Sequence, residues 1–432
     1  MNEIVGFVAV LLAILAAAAV SKRIRGTVIT LPMIYVGLGL LLSDLGLGLV
    51  HMGPDSEFVR IIAELTLVLV LASDAARINM RRLAKDHNLP IRLLGIGLPL
   101  TMFMGTLLAA LIFDNLLLGE AAVLGILLAP TDASLSQAVI SNPLVPARIR
   151  QTLNIESGLN DGIAMPFLLL AISMVGAEEF GGFARWIELG ISQIILGVLA
   201  GALVGILGRF FISWGRKSGW MSSRFQKISA IALALMAYGV AILIGGNEFI
   251  AAFVMGVAVA NTAPDEKMED LNEHLEVEVD LLILLTFMIV FGAILLPKAI
   301  QMIDWKIALY AVLSLTVVRM LPVFVSMIGV QAKAVTVGFL GWFGPRGLAS
   351  ILYLFTVLDT DSMPGVDTIY AVTLITVLFS VFAHGISAAP AARWYGRIMG
   401  DDELVGKDAV EHQDVPAVRV RGPEPSNYLQ DG

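Results

Sequence analysis

The sequence predicts an all-α polytopic membrane protein with about 13 transmembrane helices. Of its 432 residues, 57% are hydrophobic and 15% are charged, whereas soluble proteins carry roughly 25% charged residues. Apolar runs close to the length that crosses a bilayer, about 20 residues, recur along the whole chain. None shows the two-residue alternation of a barrel strand, which indicates helices. The chain has no cysteine, so disulfides, cysteine-ligated metals and thiol catalysis are excluded.

The apolar runs begin directly after Met-Asn-Glu at the start of the chain. This acidic start favours a first transmembrane helix over a signal peptide, whose first residues are basic. In order, the 13 runs lie near residues 4–20, 27–43, 57–76, 92–112, 121–140, 153–175, 187–208, 228–245, 248–261, 280–296, 307–329, 334–357 and 368–390.

Basic residues distinguish the two sides of the predicted membrane domain. The loops after runs 1, 3, 5 and 7 carry Lys and Arg, whereas the loops after runs 2, 4 and 12 contain neither. By the positive-inside rule, the N-terminus lies outside and the C-terminus in the cytoplasm. The basic loop residues are Lys22, Arg23, Arg25, Arg77, Arg81, Arg82, Lys85, Arg148, Arg150, Arg216, Lys217, Arg224 and Lys227.

The composition changes after the last run. Residues 1–398 form the predicted transmembrane domain, and residues 399–432 are short, polar and rich in Pro and Gly. Such a segment is typical of a flexible cytoplasmic tail. Docking of this tail on the membrane domain is the alternative.

The sixth run, with the sequence "NIESGLNDG", packs four polar side chains into six positions. Glu156 and Asn160 lie about 40° apart around an ideal helix. Ser157 and Asp161 have the same spacing, and all four fit within an arc of about 140°. Charges inside a membrane are costly and mark functional candidates. One helix face therefore presents these groups to the same place; the alternative is a cluster that only joins helices.

Two other runs contain helix-breaking residues near mid-membrane. In run 5, Pro130 blocks a continuous helix and is followed by Thr131 and Asp132. A break there exposes carbonyls and a half-helix end to a cation, and Asp132 also suits the N-cap of the next half-helix. Run 12 contains "GWFGPRG", which includes Arg346. Because the two runs are seven apart, they are expected to be equivalent, discontinuous helices of an inverted repeat.

A second arginine, Arg319, lies deep in run 11. An unpaired guanidinium there is costly, so a buried carboxylate must neutralise it. Glu156 is the first choice of partner and Asp132 the second. We expect a structural ion pair that stabilises the core.

The polar groups of these runs suit an alkali cation. Carboxylates, hydroxyls and exposed carbonyls are hard oxygen ligands, and no soft ligand accompanies them. One buried carboxylate can hold either a cation or a proton. In a protein that opens alternately to each side, that competition produces cation:proton exchange.

These motifs resemble the monovalent cation:proton antiporter-1 family, the Na⁺/H⁺ antiporters of the NhaP type. The resemblance rests on "PTD", "ESGLNDG", Arg319 followed by a proline, and "GPRG", with "HGISAAP" as a weaker likeness. It implies a homodimer in the plasma (inner) membrane of a prokaryote. Each protomer would combine interface helices near 4–76 and 228–296 with core helices near 92–175 and 307–390. Two discontinuous helices of the core would cross each other. It further implies electroneutral exchange of one cation for one proton by an elevator movement.

Residue by residue, the resemblance implies that Asp161 carries the cation and the proton. Na⁺ is the expected cation, with Li⁺ and K⁺ as alternatives. Asp132, Ser157 and the carbonyl of Thr131 would complete the metal-ion shell, and Asn160 would orient it.

Four further positions complete the comparison with the family. Glu156 would pair with an arginine, while Arg346 and Asp74 are supporting residues. The chain departs from the family pattern at Ala133, where a proline is usual, and at Asp74, where a glutamate is common. Both departures bear on cation preference.

The expected partners are the alkali cation and H⁺ as substrates, membrane lipids and a second copy of the chain. We expect no cofactor, no nucleic acid and no enzymatic activity. The main alternative is a proton-coupled transporter of an organic anion, in which Arg346 would bind substrate. A cation channel lacks support because no repeated filter loop is present. An intramembrane aspartyl protease is remote because a core arginine would disturb a proton-sharing aspartate pair.

Overall fold

The structure, a computed structural model, describes residues 2–24, 27–53, 56–78, 80, 88–180, 183–262, 279–360, 363–400 and 411. The regular elements within these residues are all helices, with no strand among them, which confirms the predicted all-α class. Seven of the described helices are long and apolar enough to cross a membrane, and shorter apolar helices accompany them.

Each predicted apolar run coincides with a described helix or pair of half-helices. In chain order the helices are α1 (Asn2–Ile24), α2 (Leu31–Leu42), α3 (Glu57–Ala76), α4 (Asn88–Ile112), α5 (Leu118–Leu127), α6 (Gln137–Ile140), α7 (Ala147–Phe180), α8 (Phe183–Lys217), α9 (Ser223–Ile244), α10 (Glu248–Asn261), α11 (Val279–Gln301), α12 (Trp305–Leu315), α13 (Val317–Ser326), α14 (Ala334–Trp342), α15 (Leu348–Leu358) and α16 (Val366–Met399).

The chain divides into two compact units. Unit 1 comprises Met1–Ala63, Leu89–Ser157 and Ile283–Gly432, and unit 2 comprises Glu64–Asn88 and Gly158–Leu282. The residues of α7 are therefore shared between the two. The assignment of core and interface helices and the orientation of the termini stay predictions. Of the loop cations behind that orientation, Arg25, Arg81, Arg82 and Lys85 lie outside the described residues.

Unit 1 is held together by apolar packing and by close helix contacts. Phe339 of α14 stacks on Tyr395 of α16 with ring centroids 4.2 Å apart, in the middle of a buried apolar cluster. Helices α4 and α5 approach so closely that a Cβ on Gly105 would lie 3.0 Å from the Cα of Gly125. The Tyr310 hydroxyl donates to the Gly105 carbonyl at 3.1 Å. Small residues at such contacts are typical of packed membrane helices.

Unit 2 packs α10 against α3 and the second part of α7. A Cβ on Gly162 would collide with the ring of Phe253. The Asn261 amide donates to the Ile78 carbonyl at 2.9 Å and accepts from the Met80 amide at 2.8 Å. These contacts fix the end of α3 beside α10.

Two helices contain π-helical turns that the hydropathy pattern did not predict. They span Leu93–Gly97 in α4 and Thr286–Leu295 in α11. A proline lies two residues after the end of each, Pro99 in α4 and Pro297 in α11. A proline lacks an amide donor and clashes with the carbonyl four residues earlier, which favours a wider turn before it.

One residue of the predicted tail docks on the membrane domain. Glu411 is 1% exposed, and its Oε1 accepts from the Lys333 amide at 2.8 Å and the Thr336 hydroxyl at 2.7 Å. Glu411 thereby satisfies amide and hydroxyl donors at the start of α14, where a carboxylate is favourable. Residues 401–410 and 412–432 lie outside the described residues.

Candidate ion-binding site

Two helices of unit 1 are interrupted where the sequence predicted it. The first break separates α5 from α6, and the second separates α14 from α15. The two breaks touch, because the Asp132 amide donates to the Pro345 carbonyl at 2.9 Å. The predicted pair of discontinuous crossing helices is therefore present in this unit.

Asp132 joins the two breaks through its carboxylate. Its Oδ1 accepts from the Ser134 amide at 2.7 Å and the Ser134 hydroxyl at 2.5 Å, and its Oδ2 accepts from the Leu348 amide at 2.5 Å. Leu348 is the first residue of α15, so this carboxylate lies at the positive end of a half-helix. Asp132 thus caps a half-helix more than 200 residues away, which the sequence did not predict.

Arg346 performs the complementary role at the negative end of α5. Its Nη1 donates to the carbonyls of Ala129 and Pro130, the latter at 3.1 Å, and its side chain is fully buried. The carbonyls that follow the last turn of a helix lack intrahelical partners, and a cation beside them is favourable. The Ser350 hydroxyl donates to the Leu127 carbonyl at 2.9 Å and adds a second contact to the same helix end.

The two glycines of "GPRG" make room for charged side chains. A Cβ on Gly344 would collide with the guanidinium of Arg319, and a Cβ on Gly347 would collide with the carboxylate of Asp132. With the Pro345 carbonyl and the Arg346 guanidinium also engaged, every residue of this motif has a structural role in the crossing.

Glu156 and Arg319 form a buried, bidentate ion pair. Arg319 Nη1 donates to Glu156 Oε1 at 2.6 Å, and Nη2 donates to Oε2 at 2.9 Å. The side chains are 2% and 3% exposed for Arg319 and Glu156, respectively. Arg319 Nη2 also approaches the Leu340 carbonyl of α14 at 3.4 Å. The pair links α7 and α13 to the half-helix that precedes the second break.

The hydroxyls of Thr131 and Ser157 meet beside the first break. Their oxygen atoms are 3.1 Å apart, and either can donate. Both residues are buried, with exposed fractions of 2% and 3%. This contact brings the break residues of the first crossing helix to α7, where the sequence predicted the second half of the ion site.

Asn160 and Asp161 belong to unit 2 and continue α7, which is helical without interruption from Ala147 to Phe180. Their exposed fractions are 1% and 7%. The four-residue spacing along a continuous helix puts Asp161 on the side that carries Ser157. Within unit 2, a Cβ on Gly158 would lie 3.7 Å from the backbone oxygen of Asp74. Asp74 therefore lies next to α7, one turn before Asp161.

Buried polar residues to which the sequence analysis assigned no role also support the crossing. Ser380 and His384 of α16 contact both sides of the second break, and their spacing of four residues on one helix was the available signal. Glu120 accepts from the Leu117 amide at 2.9 Å and the Gly365 amide at 2.6 Å, so it joins the starts of α5 and α16. No local pattern indicated that second contact, because its partner is 245 residues away.

Comparisons with known proteins agree with this architecture. A profile of the family described as "Sodium/hydrogen exchanger, transmembrane" matches residues 9–394. The K(+)/H(+) antiporter NhaP of Alkalimonas amylolytica is 27% identical over 418 residues, which cover 93% of this chain and 69% of the relative. Na(+)/H(+) antiporter 2 of Zygosaccharomyces rouxii is 26% identical over 332 residues, which cover 68% of this chain and 40% of that longer relative.

A solved structure shares the fold. The sodium proton antiporter MjNhaP1 from Methanocaldococcus jannaschii, determined at pH 8, aligns with a TM-score of 0.71 and 18% identity. The match covers 92% of this chain and 100% of the other. The predicted antiporter fold is therefore confirmed. Because the family profile spans most of its length, this multi-pass membrane protein belongs to the sodium/hydrogen exchanger family of transporters.

Proposed function

We propose that this protein exchanges one monovalent alkali cation for one proton across a membrane. Na⁺ is the first expectation, and Li⁺ and K⁺ are the alternatives, because the relatives named above include both Na(+)/H(+) and K(+)/H(+) antiporters. The proposal includes the homodimer, the elevator movement, the prokaryotic plasma membrane and the external N-terminus that the sequence led us to expect.

The observation that carries this proposal is the charge balance at the crossing. Unit 1 buries two acids there, Asp132 and Glu156, and two arginines, Arg319 and Arg346. Each of the four has a partner within the crossing. Glu156 and Arg319 pair with each other. Asp132 binds the start of α15, and Arg346 binds carbonyls at the end of α5. Their formal charges cancel, so these four groups neither require nor repel a cation.

We assign the carrier role to the carboxylate of Asp161, as the sequence predicts. It lies one turn beyond Ser157 on α7 and is 7% exposed. A single buried negative charge is neutralised by one alkali cation or by one proton, and either occupant leaves the same net charge. This supports electroneutral exchange with a stoichiometry of one to one, with Asp161 as the carrier.

The crossing in unit 1 offers oxygen ligands for a dehydrated cation. The hydroxyls of Thr131 and Ser157 lie 3.1 Å apart beside the first break. Asp132 Oδ2 accepts a single hydrogen bond among the described residues and retains a lone pair for a cation. We assign these three residues and Asp161 to the cation shell, with Asn160 as the group that orients Asp161 and Asp74 as a supporting acid.

The test is transport by the purified protein in liposomes with an imposed pH gradient. A pH-sensitive dye reports proton movement as Na⁺, Li⁺, K⁺ and choline are added in turn, with and without a clamp on the membrane potential. We expect dye recovery with at least one alkali cation, none with choline, and no dependence on the clamp. The rate should fall at low pH, where protons occupy the site, and at high pH, where few protons remain to exchange.

Asp161→Asn removes the carrier charge and keeps the side-chain shape, so we expect loss of exchange with normal folding. Asp114→Asn is the matched control, because it makes the same chemical change at an exposed residue whose carboxylate pairs with Lys306 at 2.9 Å. Exchange by Asp161→Asn at the rate of the control would remove Asp161 from the carrier role. A lack of response to every alkali cation would reject the proposal as a whole.

One observation favours the organic-anion alternative. Among the described residues, the Nε and Nη2 atoms of the buried Arg346 have no hydrogen-bond partner. These donors suit a carboxylate. If alkali cations fail to move protons and a small organic acid does so, Arg346→Lys is the next variant to examine, because lysine keeps the charge and loses the planar donor pair.

A further inference from the structure

Helix α16 carries a pair of polar residues that bracket the second break. His384 and Ser380 are one helical turn apart and fully buried. The break begins after Trp342 and ends before Leu348. Neither polar residue belongs to the proposed cation shell, so the reason for burying them lies elsewhere.

Both ring nitrogens of His384 lie within hydrogen-bond distance of a backbone carbonyl oxygen. Its Nε2 lies 2.9 Å from the carbonyl oxygen of Trp342, the last residue of α14. A carbonyl only accepts, so the bond to Trp342 forms in the tautomer that carries the proton on Nε2. Nδ1 lies 3.0 Å from the Ser380 carbonyl oxygen and 3.2 Å from the Ser380 hydroxyl, and in that tautomer it accepts from the hydroxyl.

Ser380 continues this chain to the other side of the break. Its Oγ accepts from the backbone amide of Arg346 at 2.7 Å. With the proton on Nε2, the series runs from the Arg346 amide to Ser380, from the Ser380 hydroxyl to His384, and from His384 to the Trp342 carbonyl. Two backbone groups on opposite sides of residues 343–345 are held by one turn of a continuous helix.

The side chain of Trp342 also contacts α16. It packs on the His384 ring with centroids 4.9 Å apart, and its Nε1 donates to the Ser387 hydroxyl at 2.8 Å. The bond to Ser387 serves as a control for the bond to His384, because it joins α16 to the side chain of Trp342 and not to its backbone.

We propose that His384 is a positioning residue for transport, which acts with Ser380 as a clamp on the second break. By holding the Trp342 carbonyl and the Arg346 amide, the clamp places the Arg346 guanidinium on the end of α5 and keeps Gly347 and Leu348 against Asp132. A change at His384 then alters the geometry of the crossing without touching the cation. The effect on transport rests on the proposed function, whereas the effect on the backbone does not.

The test compares three substitutions of His384. His384→Gln extends an amide donor as far as Nε2 and keeps the bond to Trp342, whereas His384→Asn ends near Nδ1 and loses it. His384→Ala removes both contacts. Ser387→Ala is the matched control, because it removes one buried hydrogen bond between α16 and Trp342 but leaves the backbone contacts intact.

Two readouts separate positioning from general stability. The first is hydrogen–deuterium exchange of the amides within residues 343–348, where we expect about tenfold faster exchange in the Ala and Asn variants, as for the loss of one buried hydrogen bond. The Gln variant and Ser387→Ala should stay within about threefold of the parent. The second readout is cation-driven proton movement, where the apparent KM for the cation should rise about tenfold in the Ala and Asn variants.

The outcomes decide between the explanations. Parent-like exchange at 343–348 in His384→Ala would overturn the clamp, and so would equal acceleration in Ser387→Ala, which indicates packing around Trp342 alone. Faster exchange with an unchanged KM would overturn the positioning role. If the parent protein itself shows no cation-driven proton movement, the proposed function fails, while the exchange measurement still tests the clamp.

Discussion

The Glu156–Arg319 pair permits a quantitative prediction about what stabilises the crossing. Its two hydrogen bonds are 2.6 and 2.9 Å long, and the side chains of both residues are no more than 3% exposed. Removal of one partner from a buried pair leaves an uncompensated charge and costs about 3–5 kcal/mol. We therefore expect Arg319→Ala to lower the free energy of unfolding by about 3–5 kcal/mol.

Simultaneous removal of both charges is expected to have a much smaller effect. Glu156→Gln with Arg319→Met removes both charges of the pair, and replacement of a buried pair by uncharged groups of similar volume is often neutral or stabilising. The double variant should therefore lie within about 2 kcal/mol of the parent. Two independent losses would instead sum to about 6–10 kcal/mol, so a double-mutant cycle distinguishes the cases clearly.

The assay is equilibrium unfolding of purified protein in mixed micelles with increasing denaturing detergent. Lys298→Ala is the control, because Lys298 pairs with Asp367 at 3.0 Å on the surface, with side chains 58% and 68% exposed. Such exposed pairs contribute less than about 1 kcal/mol. If Arg319→Ala unfolds like this control, or if the single losses add in the double variant, the pair does not stabilise the core as argued.

Two further variants probe the crossing and the tail. Gly347→Ala should displace the Asp132 carboxylate from the start of α15 and lower cation-driven proton movement at least about tenfold. The control is Gly338→Ala, which should transport like the parent because a Cβ there would meet nothing within 4 Å. Equal activity of the two variants would contradict the capping role of Asp132. Glu411→Ala should lower the free energy of unfolding by about 1.5–3 kcal/mol, while a parent-like unfolding curve would show that the Glu411 contact contributes nothing to stability.

Much of the fold is predictable because the membrane restricts the choices. A helix satisfies every backbone group within its own segment, so hydropathy alone places the spans. The breaks follow from Pro130 and Pro345, which cannot continue a helix through mid-membrane. The partner of Arg319 was limited to two acids, because an ion in an apolar core must be neutralised nearby.

The contacts that organise the crossing were not predictable from local patterns. Asp132 caps Leu348 and Arg346 binds the Pro130 carbonyl, contacts that span 216 residues of sequence in each case. Helix propensity and periodicity describe neighbours within a few positions, so they cannot show which half-helix end will face which charge. His384 illustrates the same limit, since its partner Trp342 is 42 residues away.

The π-helical turns show a second reason why sequence-based prediction is incomplete. Pro99 and Pro297 are visible in the sequence, yet a proline within a membrane helix can be accommodated by a kink, a break or a wider turn. Packing decides among these outcomes. In α4 the turn at Leu93–Gly97 accommodates the proline without ending the helix.

The placement of charges on interrupted and uninterrupted helices suggests how fixed and exchangeable charges are separated. Asp132 and Arg346 belong to the breaks, and each holds backbone groups of the other crossing helix. If either charge changed partner during transport, a half-helix end would lose its compensation and the crossing would loosen. Asp161 lies on α7, which continues as one α-helix from Ala147 to Phe180 although Pro166 within it lacks an amide donor. If Asp161 is the carrier, as proposed, a change of its occupant does not uncover the end of a half-helix. This separation is the physical reason to expect that substitution of Asp161 abolishes exchange and preserves the fold, whereas loss of the Asp132 contact damages both.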